Sequence, residues 1–310
     1  MKKYFLLFPA LTCLIFFFAF CSPGSRPRAW IRINQAGYAP LGVKVAVLAC
    51  KEDLPVTGFT LRDAQTRTVV YSRTAGEDFG SYGPFAHTFR LDFSGVRQQG
   101  IYYLQAGDIK SPVFRIAPDV YHGAADFCLR YLRQQRSGFN PFLKDSCHTR
   151  DGYTVYGPMP DGTYINAWGG WHDASDYLQY VTTSANATYH LLAAYRDFKS
   201  VFTDTHEASG LEGSNGIPDV LDEAKWGLDW LLKMHPRPDW MFNQIADDRD
   251  HRGFRLPPED TVNYGIDRER PVYFCTGKPQ GLGKYKNQST GTASTAGKFT
   301  SAFALGYALL

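Results

Sequence analysis

A multidomain chain, a β-sandwich followed by a separate helical domain, is the architecture the sequence predicts, and three observations predict it. Short alternating runs fill residues 29–117, a helical period takes over after Pro118, and long glycine- and aromatic-rich loops separate the helices that follow. In the first region the runs are Trp30 to Ile33, Val43 to Ala49, Gly58 to Leu61, Thr68 to Ser72, His87 to Phe93, Ile101 to Gln105 and Val113 to Ile116. Gly, Pro, Asp and Ser punctuate them. Ile31-Arg32-Ile33 and Val43-Lys44-Val45 place apolar side chains at every second position, as a sheet with one buried face requires. About seven such strands in this length predict an all-β immunoglobulin-like sandwich over residues 29–117.

Residues 118–310 follow a period of three and four. Asp119 predicts an N-cap for a helix whose inward face would be Val120, Tyr121, Ala124, Phe127, Cys128, Tyr131 and Leu132. Residues 177–198 predict a second helix, with Leu178, Val181, Ala185, Tyr189, Leu192 and Tyr195 on one face. Asn215-Gly216-Ile217-Pro218 opens a third that runs to Met234. Pro218 is expected in its first turn, and Asp219, Asp222 and Glu223 are expected to complement the positive end of the helix dipole. Pro236 and Pro238 close it, and Trp226 and Trp230, one turn apart, predict core. A last helical run from Thr295 to Leu310 has no capping Gly or Pro, so the domain is expected to continue beyond it. The loops 137–171 and 236–294 are too long for mere connections in an all-α domain and are expected to carry function.

At the N-terminus, Lys2 and Lys3 precede an apolar run from Leu6 to Phe20, the pattern of a secretory leader and short for a membrane span. Cys21 then opens Cys-Ser-Pro-Gly-Ser, a small polar stretch suited to tethering a domain to a lipid. Residues 1–21 are therefore expected to be an export signal ending in a lipidated Cys21, and 22–28 a linker. Phe20 stands where such signals usually have a small residue. The expected location is a membrane-anchored lipoprotein, periplasmic or at the cell surface, touching the membrane only through that anchor. Net charge is +3 with lysines and arginines scattered, which argues against a nucleic-acid or acidic-polymer partner. Cys50, Cys128, Cys147 and Cys275 match no zinc or redox spacing, and no pairing follows from them. Aromatic residues make up 15% of the chain and suit stacking on sugar rings, although the core is expected to take most of them.

Chemistry enters at Gly169-Gly170-Trp171-His172-Asp173-Ala174-Ser175-Asp176-Tyr177. Two carboxylates three positions apart, at the start of the predicted 177–198 helix, can face one point, and a helix N-terminus favours their ionised forms. An inverting glycosidase needs such a base, with a protonated acid roughly 6.5–9.5 Å away across the sugar. By itself a D-x-x-D pair is as well read as an N-cap and a turn residue.

The whole string decides. GGWHDASD resembles the GGWYDAGD block of glycoside hydrolase family 9, the inverting cellulases. WIRINQAGYAPLGVKVAVL resembles the start of that family's immunoglobulin-like domain, GIPDVLDEAKWGLDWLLKMH its GIPDLLDEARWxLEWLLKM helix, and DHRGFRLPPED its DHxxWxxPED loop. RPVYF and ASTAGKF fit as well, so the resemblance spans nearly the whole chain after the leader. It implies a partial all-α (α/α)6 barrel over residues 118–310, about its first half, and hydrolysis of a plant-type β-1,4-glucan. Residue by residue, it implies that Asp176 is the catalytic base and that Asp173 helps hold the attacking water. His251 would contact substrate, and Trp171, Trp168 and Phe254 are candidate sugar-binding aromatics. No cofactor is required; the family often carries structural calcium, whose ligands are not placed here.

Two departures stand out. Ser175 replaces the usual Gly between the carboxylates, and Phe254 stands where Trp is usual. The family's acid Glu comes late in its barrel, and Glu259 and Glu269 sit outside its motif, so these 310 residues by themselves are expected to be inactive. The alternatives are a non-catalytic glucan-binding surface lipoprotein and a sandwich that merely scaffolds partner proteins. Retention of both aspartates favours the enzyme. No nucleotide loop, Ser/His nucleophile pattern or metal-ligand cluster supports another chemistry.

Overall fold

The structure is a computed structural model that describes residues 28–174, 176–266, 269–280 and 291–310. The expected leader and Cys21 lie outside the described residues. No described helix is long and apolar enough to cross a membrane. The chain divides into two compact units, with the break after Tyr121.

The first unit is all β. Strands β1 (Ala29–Arg32), β2 (Val45–Cys50) and β5 (His87–Asp92) form one antiparallel sheet. Strands β3 (Gly58–Asp63), β4 (Val69–Thr74), β6 (Gly100–Ala106) and β7 (Ile109–Lys110) form the other, with β8 (Phe114–Ile116) also paired to β6. Each expected run becomes a strand, and β7 is added. Alternation works as the sequence implies: in β6, Tyr102, Leu104 and Ala106 are buried, Tyr103 and Gln105 between them are half-buried, and Ile101 before them is exposed. Between the sheets Tyr38, Phe93 and Phe114 pack ring against ring at centroid distances of 5.1–5.5 Å. The buried Lys44 ammonium is a charged exception, held by the carbonyls of Ala39, Pro40 and Gly42.

The second unit has four described helices, α1 (Ala124–Gln134), α2 (Val181–Asp197), α3 (Asp219–Met234) and α4 (Thr292–Leu309). α2 packs on α3 and α4, with Val181, Ala185, Leu192, Leu231, Phe299 and Ala302 in a shared core. The third helix keeps its expected span, with Pro218 at the N-cap rather than inside the first turn. Gly306 of α4 lets that helix approach Leu228 of α3, where an added Cβ would lie 2.8 Å from Leu228 Cδ1.

Three expectations need correction. The unit is not all-α. Strands from the two long loops, β11 (Tyr153–Val155), β13 (Phe242–Ile245) and β14 (Pro271–Phe274), join β12 (Gln179–Tyr180) in a four-stranded sheet ordered β11-β14-β13-β12. A short hairpin of β9 (Gly138–Asn140) and β10 (Asp145–Cys147) lies beside it in sequence.

The helix expected from Asp119 begins at Ala124 instead, and Asp119 pairs with Arg115. Its predicted inward face points outward, with Phe127 70% and Tyr131 59% exposed, while Leu129 and Arg133 turn in. The reason lies on α3. Asp219 and Glu223 are fully buried there, and Arg133 reaches Asp219 at 3.1 Å while Arg136 clamps Glu223 at 2.7 Å. A buried carboxylate stripped of its partner costs about 3–5 kcal/mol. Such a cost is large enough for the Arg133–Asp219 pair to hold this side of α1 against α3. For the same reason Asp219 and Glu223 act as ion-pair partners more than as complements of the helix dipole.

Third, α2 starts at Val181, five residues beyond Asp176. The expected first-turn dipole therefore does not hold the two aspartates. A loop and strand β12 do.

Candidate active site

The sheet explains how the two site loops meet. β12 and β13 run antiparallel, with Gln179 opposite Ile245 and Tyr180 opposite Gln244. The chain entering β12 carries Asp173 and Asp176, and the chain leaving β13 carries His251. Antiparallel neighbours bring an entry and an exit to the same end of the sheet. There His251 Nε2 lies 2.5 Å from Asp176 Oδ2, and Asp176 is 22% exposed. The other oxygen, Asp176 Oδ1, is buried and has no hydrogen-bond partner among the described residues. Asp173 is exposed, and its Oδ1 accepts from Thr183 Oγ1 of α2 at 2.9 Å. Its amide donates to the Leu178 carbonyl at 2.7 Å, which closes the 173–178 loop on itself.

Negative charge collects at this end. Burial pushes the Tyr180 phenol up to about 12, and the carboxylates of Asp173, Asp176, Asp248 and Asp247 add to the effect. Asp247 also caps the turn that delivers His251, accepting from Arg249 and from the Tyr273 hydroxyl.

Below the loop lies a buried ionic layer. Arg270 is fully buried. It spreads its donors over both Asp151 oxygens, Gln179 Oε1 at 2.6 Å and the Tyr177 carbonyl at 2.5 Å. Arg255 bridges Asp250 and Asp260. Burial pushes Asp250 up to about 6, with the Asp260 charge adding and the Arg270 and Arg255 cations opposing. Burial also pushes Asp260 upward, but the His148 and Val262 hydrogen bonds and the nearby cations outweigh it and bring it to about 2.

Two of the expected aromatic platforms fare differently from the third. Trp171 is buried, its indole Nε1 donates to Glu223 Oε1 at 2.8 Å, and its ring lies over Gly227, where an added Cβ would be 2.4 Å from the indole. A ring enclosed this way packs the scaffold and cannot stack on a sugar. Trp168 is half-buried with the Lys233 ammonium 3.7 Å over its ring, so one face is taken. Phe254 is 94% exposed and free to stack. Trp230 is buried as expected, and Trp226 carries the Arg136 guanidinium 4.4 Å over its ring. Of the two spare carboxyls, Glu259 caps its own turn and Glu269 pairs with Arg150.

Sequence reasoning missed one constellation. Cys147, His148 and His172 bring three ligand atoms within 4.8 Å of one another. His172 Nδ1 donates to the Tyr177 carbonyl at 3.2 Å, which leaves Nε2 bare and 3.5 Å from Cys147 Sγ. His148 Nε2 is committed to Asp260 at 2.9 Å, while its buried Nδ1 has no partner among the described residues. Burial pushes both imidazoles down, His172 the further, so both are neutral, the ligating form; it pushes the Cys147 thiol up to about 11. This sulfur-and-nitrogen set suits a soft divalent cation such as zinc and does not suit calcium. The legible signal was the Cys147-His148 dipeptide together with the histidine inside the Asp block.

Residues 121–310 match the model of glycosyl hydrolase family 9, and residues 26–111 match the cellulase N-terminal ig-like domain. Endoglucanase D of Acetivibrio thermocellus is 30% identical over 243 residues, covering 74% of this chain and 37% of the relative. Endoglucanase C of Cellulomonas fimi is 32% identical over 268 residues, 77% of this chain and 24% of the relative. A xyloglucan-specific endo-β-1,4-glucanase of Bacteroides ovatus is 28% identical over 234 residues, 71% of this chain and 39% of the relative. The crystal structure of a metagenome-derived family 9 endoglucanase superposes with a TM-score of 0.66 at 29% identity, covering 89% of this chain and 53% of that one. The chain thus spans about half of that solved structure and less of the curated relatives it matches. It belongs to glycosyl hydrolase family 9 and carries that family's N-terminal immunoglobulin-like domain.

Proposed function

We propose that the protein hydrolyses β-1,4-glucosidic bonds of a β-glucan with inversion at the anomeric carbon, and that Asp176 is the base. The observation that carries this is the state of its carboxylate. Its Oδ2 is held by His251 while the side chain stays 22% exposed, so the carboxylate is fixed by a partner and still open to an attacking water. Asp173, tethered by Thr183 at the rim of the same loop, orients that water. His251 and Phe254 lie on the loop that would meet the sugar, His251 by hydrogen bonding and Phe254 by stacking. The proposal leaves the proton donor to the part of the family's domain not represented in these 310 residues.

The test is product stereochemistry in the native protein. NMR of the first products from a soluble β-1,4-glucan should show the inverted configuration, and Asp176→Ala should lower the rate by about two to four orders of magnitude. Asp173→Ala should cost less. Retained configuration, or an undiminished Asp176→Ala enzyme, would exclude Asp176 as base.

We also propose export and anchoring through Cys21, on the leader pattern alone. Cys21→Ala should move the protein from the membrane to the soluble fraction; unchanged membrane association would refute the anchor.

A further inference from the structure

We propose that Tyr177 is a positioning residue: held in a left-handed conformation by the layer beneath, it ties the loop bearing Asp176 to the loop bearing His251. The inference rests on the reading of Asp176 as base, and its main test does not depend on turnover.

Tyr177 follows Asp176 directly and has φ +58°. A bulky side chain at positive φ is strained, and such a conformation persists only where the surroundings over-determine it. They do so here from three sides. Its carbonyl is turned inward to accept from Arg270 Nη1 at 2.5 Å and from His172 Nδ1 at 3.2 Å. Its ring lies 4.8 Å from the His172 ring and has the Arg255 guanidinium 4.8 Å over its face. Its hydroxyl donates to the Arg255 carbonyl.

That last bond joins the two loops. Arg255 lies four residues beyond His251 on the segment that also holds Asp250 and Asp260 in ion pairs. A shift of Tyr177 would therefore move Asp176 on one side and the His251 loop on the other. Reversing the left-handed turn would also re-aim the Asp176 carboxylate away from His251. The pair 2.5 Å apart is the product of this tie, because neither loop is otherwise bonded to the other near the carboxylate in the contacts described.

Tyr177→Phe removes the hydroxyl tie and keeps the ring, so the variant should fold. The turnover-independent readout is the rate at which diethyl pyrocarbonate modifies each histidine, read by mass spectrometry. Exposed His190 serves as a reference, and His148, whose side chain is 7% exposed, and buried His172 report any general loosening. In Tyr177→Phe, His251 should react about fivefold faster, the effect of one lost hydrogen bond, while His148, His172 and His190 keep their rates. In the native enzyme kcat should fall by about the same factor at unchanged KM, the pattern of lost positioning. Tyr177→Gly, which relieves the strained backbone but deletes the ring, should release His251 further. Unchanged His251 reactivity in both variants overturns the proposal, as does a parallel rise at His148 and His172 in Tyr177→Phe, which keeps the ring packed on them, since that would mark a structural role only. A His251 that is released while kcat stays unchanged would keep the tie and count against Asp176 as base instead.

Discussion

The sandwich and the site-bearing unit solve the same packing problem with different materials. In the first unit the core is nearly all apolar, and its ion pairs sit outside, as with Arg73 and Asp92, both about half exposed at the side chain. In the second, the residues that fix the geometry are buried ions: Arg133, Arg136, Asp219 and Glu223 under α1, and Arg270, Asp151, Asp250 and Asp260 under the Asp176 loop. Apolar packing is tolerant of direction. A guanidinium is not, since its donors leave in a rigid fork, and a site needing a carboxylate aimed within a fraction of an ångström gains from such partners. The contrast teaches that the apolar pattern specifies where the chain is buried, and the buried charges specify how its loops are aimed.

The comparison can be broken most sharply at Glu223. Glu223→Gln leaves Arg136 and Arg133 short of a buried counter-charge and should lower stability by about 3–5 kcal/mol. Denaturant unfolding followed by tryptophan fluorescence measures it well, because Trp30 is the sole tryptophan outside the second unit. A loss below the usual surface-pair worth of about 1 kcal/mol would mean the buried ions are ornamental.

Asp250 gives the next effect, through pH. Its carboxyl sits at about 6 in the folded state, above the unfolded value near 3.9. Between about pH 4 and 6 the folded state therefore holds a proton that the unfolded state has released, so stability falls as pH rises through that window. The fall should be on the order of 3 kcal/mol, and Asp250→Asn should flatten it. Asp260, at about 2, acts with the opposite sign and below that window.

Two aromatic substitutions sharpen the comparison further. Trp171→Phe strips a donor from Glu223 and should cost about 1–3 kcal/mol of stability with glucan affinity unchanged. Phe254→Ala should leave stability alone and weaken glucan binding by about 0.5–1.5 kcal/mol, read by calorimetry. If Trp171→Phe weakened binding instead, the burial of its ring would be the wrong guide. The smallest effect belongs to the sandwich surface, where Arg73→Ala should change stability by less than about 1 kcal/mol.

The same contrast explains what was legible in the sequence. The strands of the sandwich could be read because each has one buried face and one wet face, so a period of two is written into the residues. The side of α1 that faces α3 could not, because its polar anchor is the pair of Arg133 with Asp219, a partner far along the sequence that no local apolar pattern reveals. The sheet of β11 to β14 was hidden for a similar reason. Its strands are two to four residues long, and Tyr153 pairs in parallel with Pro271 across the sequence. Asp173, Asp176 and His251 could be named as candidates from the family blocks, whereas the approach of His251 to Asp176 depends on the β12–β13 register, which no local pattern announces. Cys147, His148 and His172 fell outside any zinc spacing because their convergence is tertiary.

The most direct test of the account replaces the nucleophile. In Asp176→Ala of the native protein, water lacks a base, but azide is already an anion and needs none. With sodium azide present, attack at the anomeric carbon should break the β-glucosidic bond, send the leaving sugar off protonated by the enzyme's acid, and leave an α-glycosyl azide. The account predicts that hydrolysis lost by about two to four orders of magnitude is partly regained as that product. Full activity of Asp176→Ala without azide, or a β-glycosyl azide, would contradict the claim that Asp176 activates the water.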